Sequence, residues 1–197
     1  MKYRIFSVLK SLFFKNNSDA LIFVSEIARK IFIEKYKYNK PTYTVNNTLN
    51  SIFLEKDKWQ SIDLCQDRFN ILCLSANYPH KNLNIIPKVI ELIKAKNPSF
   101  RFTFNISASI EDFSWSERTC ENVNFLGHVP LEKIPDLYLK SDLLFFPTLL
   151  EVFSTTYLEA LQMGVPIVTS DMPFSKDICD TGAIYCNPTD PNEYAEA

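Results

Sequence analysis

From Asn70 onward the chain repeats one pattern: a short apolar run closed by turn residues, then a stretch with helical spacing. The runs are ILCLS at 71–75, FTFNIS at 102–107, VNFLG at 123–127, LLFFP at 143–147, PIVTS at 166–170 and AIYC at 183–186. Helical patterns fall between them at about 83–96, 131–140 and 155–163. Short apolar runs of this kind, alternating with helices, belong to strands covered on both faces. The order therefore predicts an α/β, Rossmann-like, mostly parallel sheet with helices on both sides. In such sheets ligands bind beyond the carboxyl ends of the strands, so the loops after each run are where chemistry is to be sought.

The first third is organised differently. Residues 2–15 place Ile5, Val8, Leu9, Leu12 and Phe13 on one helical face, with lysines largely opposite. Lys2, Arg4, Lys10 and Lys15 make this stretch basic, with no acidic residue before Asp19. A helix packed on a domain and a helix lying on an anionic membrane surface both fit that pattern. Ala20–Ser25 reads as a short buried strand, followed by a helix from Ile27 to Tyr36 and an extended segment, TYTV, after Pro41. Residues 55–68 are polar with mixed charge, which suits a connection between two units.

Composition narrows the function. A net charge of −2 with basic and acidic residues interspersed leaves no broad basic face, so nucleic acid is not an expected partner. The five cysteines form no CxxC pair and sit mostly in apolar runs, as reduced buried thiols of a cytoplasmic protein would. The opening stretch lacks the cleavage site of a signal peptide, and no apolar run is long enough to cross a bilayer. His80 and His128 are the only histidines and no ligand pair has metal spacing, so no metal is expected.

Two post-strand segments can carry chemistry. Tyr78-Pro79-His80-Lys81-Asn82 follows the first strand of the repeat and opens a helix, where a lysine can meet a phosphate held by helix amides. No GxGxxG or Walker sequence is present. Phe146 to Ser154 leads into the helix Thr155–Met163, with Ser154 read as N-cap, Gly164 as the residue after the last turn and Pro166 as the stop. Glu151 then lies in the loop and Glu159 within the helix. A carboxylate accepts two directional hydrogen bonds from a vicinal diol, which makes it suited to sugar hydroxyls. Asp177 reads as a helix-surface aspartate.

The run from Glu151 to Glu159 resembles the E-x7-E motif of retaining glycosyltransferases of the GT-B fold (glycosyl transferases group 1, family 4), and EALQMGVPIVTSD at 159–171 resembles that family's continuation. PHKN at 79–82, VNFLGHVP at 123–130, SDLLFFPT at 141–148 and GAIYCNPTD at 182–190 agree in order. The resemblance implies the C-terminal, donor-binding half of a GT-B fold at 70–197, truncated at its C-terminus. The same reading makes 55–69 a linker and 1–54 the end of an N-terminal domain. It implies that Glu151 contacts the donor sugar, Lys81 neutralises the diphosphate and Glu159 binds the ribose diol. Amides near Phe153, Ser154 and Thr155 would support the phosphate or sugar, with His80 beside them. Where the family usually has E-G-F-G, this chain reads Glu151-Val152-Phe153-Ser154, and Ser75-Ala76-Asn77 stands where an arginine is common.

The expected function is transfer of a hexose from a nucleotide diphosphate sugar to a glycan or lipid-linked acceptor with retention, without a further cofactor. The expected setting is the cytoplasm, peripheral to the membrane if residues 2–15 bind lipid, with a partner supplying the rest of the first domain. A non-catalytic scaffolding or binding subunit and a GT-B sugar epimerase fragment are the alternatives.

Overall fold

The computed structural model describes residues 2–197, with side chains from residue 10 onward. The chain divides into two compact units, Met1–Asn47 and Thr48–Ala197.

The first unit contains helix α1 (Lys2–Asn17), strand β1 (Leu21–Phe23), helix α2 (Glu26–Tyr36) and strand β2 (Thr42–Thr44), with β1 and β2 parallel. Ile5, Val8 and Leu9 of the expected apolar face of α1 lie outside the described side chains, while Leu12 and Phe13 are exposed. Ser25 caps α2 by accepting a hydrogen bond from the Ala28 amide at 3.2 Å. Phe23 packs on Phe32 of α2 at 5.3 Å between ring centroids. Segment 20–25 is not the buried strand its apolar run suggests, since Ile22 is 69% exposed. In a two-stranded sheet with its crossover helix on one side, alternate side chains point away from that helix, and Ile22 and its partner Tyr43 are both exposed.

The second unit is built on a six-stranded, fully parallel sheet. In chain order it runs β3 (Phe69–Cys73), α3 (Ile86–Lys96), β4 (Phe102–Ile106), α4 (Glu117–Cys120), β5 (Val123–Phe125), α5 (Ile134–Leu139), β6 (Leu143–Phe146), α6 (Thr155–Met163), β7 (Ile167–Ser170), α7 (Pro173–Cys179), β8 (Ile184–Cys186) and α8 (Pro191–Glu196). The strands lie in the order β5-β4-β3-β6-β7-β8. The chain thus winds outward from β3 in one direction, then returns to β6 beside β3 and winds the other way, placing a topological switch point between those two strands. Leu72, Cys73, Phe102, Phe104, Ile106 and Leu144 are fully enclosed, as continuous apolar runs covered on both faces should be.

The division between units falls at Asn47, earlier than the 55–69 connection suggested by polarity. Ile52 and Phe53 are buried, and the Phe53 ring packs on Tyr138 of α5 at 6.0 Å. The segment that follows is pinned by backbone bonds: the Gln60 amide donates to the Glu132 carbonyl at 2.9 Å and the Ile62 amide to Asp136 at 2.8 Å. Polar composition here reflects a chain docked along a helix through its main chain.

One side of the sheet carries a ladder of asparagines. Asn105 donates to Asn70 and Asn124 donates to Asn105, each at 3.0 Å, across β3, β4 and β5. Asn105 is buried, so these amides find their partners in one another. Replacing Asn105 with the similarly sized leucine leaves the Asn70 side-chain Oδ1 without its donor. Urea unfolding should show a loss of about 1–3 kcal/mol, the cost of an orphaned buried polar group.

Candidate functional site

The loops after β3 and β6 meet at the switch point. After β3 the chain makes a tight turn at Pro79–Lys81, closed by Asn82 in the left-handed region at φ 56°. The Asn82 side chain donates to the Pro188 carbonyl at 3.0 Å, which fixes the turn against the segment after β8. After β6 the loop crosses back, and the Leu149 amide donates to the His80 carbonyl at 2.7 Å. His80 therefore ties the two loops through its main chain, while its ring stacks on Tyr78.

This tie brings Lys81 and Glu151 together although 70 residues separate them. The Lys81 ammonium donates to Glu151 Oε1 at 2.5 Å, and the two side chains are 18% and 13% exposed. The Lys81 ammonium also lies 5.1 Å from the centroid of the Phe146 ring, at the end of β6. Thr148, fully buried, places its hydroxyl 2.9 Å from the same Glu151 oxygen. The sequence did not mark Thr148; its position three residues before a loop glutamate was the available signal.

Glu159 sits in α6, the helix that this loop leads into. Tyr138 of α5, fully buried, donates its hydroxyl to Glu159 Oε2 at 3.0 Å. Burial raises the Glu159 carboxyl above its ordinary range, opposed by hydrogen bonds from Tyr138 and Thr155. Thr155 thus serves Glu159 through its side chain, a role that helix-start reasoning did not assign. Tyr138 was read only as part of a helical pattern. The helix itself is anchored by Tyr157, whose hydroxyl lies 2.8 Å from Thr169, which in turn donates to the Phe146 carbonyl at 2.7 Å.

Ser154 occupies the N-cap position with extended backbone, as expected, yet its hydroxyl makes no capping bond. The first-turn amides of α6 receive no acceptor from that side chain, so Ser154 does not compete with an anion for them. Gly164 closes the helix at φ 70°, in the left-handed conformation glycine adopts without strain. Phe153 is half-buried, Val152 is exposed, and Asp177 lies exposed on α7.

A second recess, of about 280 Å³, is lined by Leu74, Ser75, Ala76, Ser107, His128 and Val129 at the carboxyl ends of β3 and β4. It brings His128 to the same edge of the sheet. Another groove, about 700 Å³, runs between α3 and α4 beside the exposed Lys88, Glu91 and Arg118. It is larger but carries no buried charge, and the paired, enclosed charges at the strand ends are the stronger mark of a site. Among the described residues no cluster of three His, Cys, Asp or Glu side chains could hold a metal ion, and no helix is long and apolar enough to cross a membrane.

Comparison with known proteins identifies the class. Residues 55–197 match the glycosyl transferases group 1 family, and the chain belongs to it. It is 25% identical over 162 residues to the O-antigen chain mannosyltransferase RfbU of Salmonella typhimurium, covering 79% of this chain and 45% of that protein. It is 24% identical over 164 residues to the phosphatidylinositol N-acetylglucosaminyltransferase GPI3 subunit of Saccharomyces cerevisiae, covering 79% and 36%. The chain thus spans less than half the length of these relatives. The fold matches that of S. aureus TarM with a TM-score of 0.69 at 16% identity, over 93% of this chain and 36% of TarM.

The raised Glu159 carboxyl has a consequence for stability. Its ionisation is harder in the folded chain than in the unfolded one, so the native state is penalised as pH rises above the ordinary glutamate range. Glu159→Gln keeps an acceptor for Tyr138 and removes that penalty. Thermal melts should show the variant more stable than wild type at pH 7, with the gain vanishing at a pH low enough to protonate glutamate in both states.

Proposed function

We propose that this chain is the donor-binding half of a glycosyltransferase that moves a hexose from a nucleotide diphosphate sugar to a glycan or lipid-linked acceptor, with retention of configuration. The observation that carries this reading is the Lys81–Glu151 pair, which joins the loops after β3 and β6 at the point where the strand order reverses. Two of the relatives support the substrate class by their names, one transferring mannose in O-antigen chains and the other N-acetylglucosamine to phosphatidylinositol.

In this reading Lys81 and the uncapped start of α6 supply positive potential to the diphosphate, both in binding and as charge develops on it when it leaves. Glu151 accepts hydrogen bonds from the donor sugar, and Glu159 from the ribose diol. The amides of Phe153, Ser154 and Thr155, at the start of α6, would support the phosphate or sugar, with His80 holding the two loops together. The group needs no resident cofactor for these roles. The acceptor site belongs to the other half of the enzyme, and residues 2–15 would hold the protein at the cytoplasmic face of a membrane.

A non-catalytic binding subunit is the second reading. It is favoured by the sequence Glu151-Val152-Phe153-Ser154, whose exposed Val152 adds bulk to the loop where the donor would approach. Calorimetric titration with UDP, GDP, ADP and their sugars separates the two. Wild type should select one base, and Glu159→Ala should lose about 1–3 kcal/mol of affinity, the value of a diol acceptor. Absence of nucleotide binding would leave the subunit reading.

A further inference from the structure

Glu151 and Lys81 neutralise each other, and both are largely enclosed. Both hydrogen bonds to Glu151, from Lys81 and from Thr148, fall on Oε1. Among the described residues, Oε2 has no bonded partner. Thr148 is fully buried, and Glu151 Oε1 at 2.9 Å is the nearest of the three acceptors around its hydroxyl, ahead of the His80 and Leu150 carbonyls at 3.2 and 3.4 Å. The carboxylate thus has both of its bonds on one oxygen, and its side chain keeps 13% exposure.

We propose that Glu151 sets the preference for sugar-bearing nucleoside diphosphates over bare ones by competing with the diphosphate for Lys81. This rests on the donor-site reading above. Any diphosphate that takes Lys81 strips an enclosed carboxylate of its counter-charge, and an enclosed charge without a partner is costly. A nucleotide sugar offsets that cost, because its hydroxyls donate to Glu151 as Lys81 departs. A bare nucleoside diphosphate brings no such donor, and its terminal phosphate carries additional negative charge toward the stripped carboxylate. The pair therefore admits the donor and disfavours retention of the spent nucleotide, so that the residue contacting the sugar also promotes product release.

The test is calorimetric titration of the full 197-residue chain with the nucleoside diphosphate that wild type selects and with its glucose or mannose derivative. Glu151→Gln should bind the bare diphosphate about tenfold more tightly, and the preference for the sugar derivative should fall by about tenfold or more, the value of one hydrogen bond to a charged group. In a Lys81→Met background the same substitution should no longer tighten the bare diphosphate. If Glu151→Gln fails to give a cooperative melt, Glu151→Ala takes its place with the same expected direction. An unchanged preference, or parallel weakening of both ligands, overturns the proposal and leaves the donor site standing. Failure of wild type to bind any nucleotide overturns the donor site and this proposal with it.

Discussion

The Leu149 amide reaching the His80 carbonyl is the contact on which the site depends. It exists because β3 and β6 are parallel neighbours, so the loops leaving them emerge on the same edge of the sheet and can be tied together. Once tied, the loops place a lysine and a glutamate in contact with little surrounding water, and each side chain is then oriented by the other. The Thr148 hydroxyl and the Phe146 ring fix that pair from below, both belonging to the end of β6 or the residues just after it. The site is thus a consequence of strand order, with the side chains added where the loops after β3 and β6 meet at the switch point.

Glu159 illustrates a different constraint. Its helix is held to the sheet through Tyr157 and Thr169, and its carboxylate is held by Tyr138 from a neighbouring helix. A carboxylate raised by burial destabilises the fold, and carboxylates perturbed in this way cluster at functional sites. The opposing hydrogen bonds from Tyr138 and Thr155 moderate the penalty without removing it.

The sheet was legible in the sequence because its strands are buried on both faces, and burial writes itself as short apolar runs. All six runs from residue 71 onward became strands, and α6 spans Thr155–Met163 as its cap and closing glycine indicated. The same signal misled at Ala20–Ser25, where Ile22 is apolar yet exposed. The short helix Glu117–Cys120 is too brief to show a period in the sequence. The polar stretch after residue 54 read as a linker, since main-chain docking leaves no mark on side-chain composition. Lys81, Glu151 and Glu159 were legible through motif resemblance. Tyr138 and Thr148 were not, because a hydroxyl's partner depends on a fold that local spacing does not encode.

The most direct test is the structure of the chain bound to an intact nucleotide sugar. The account predicts that Lys81 leaves Glu151 for the diphosphate, that the sugar hydroxyls lie against Glu151, and that the ribose lies against Glu159. A nucleotide seated elsewhere, such as the groove between α3 and α4, with the Lys81–Glu151 pair undisturbed, would contradict it.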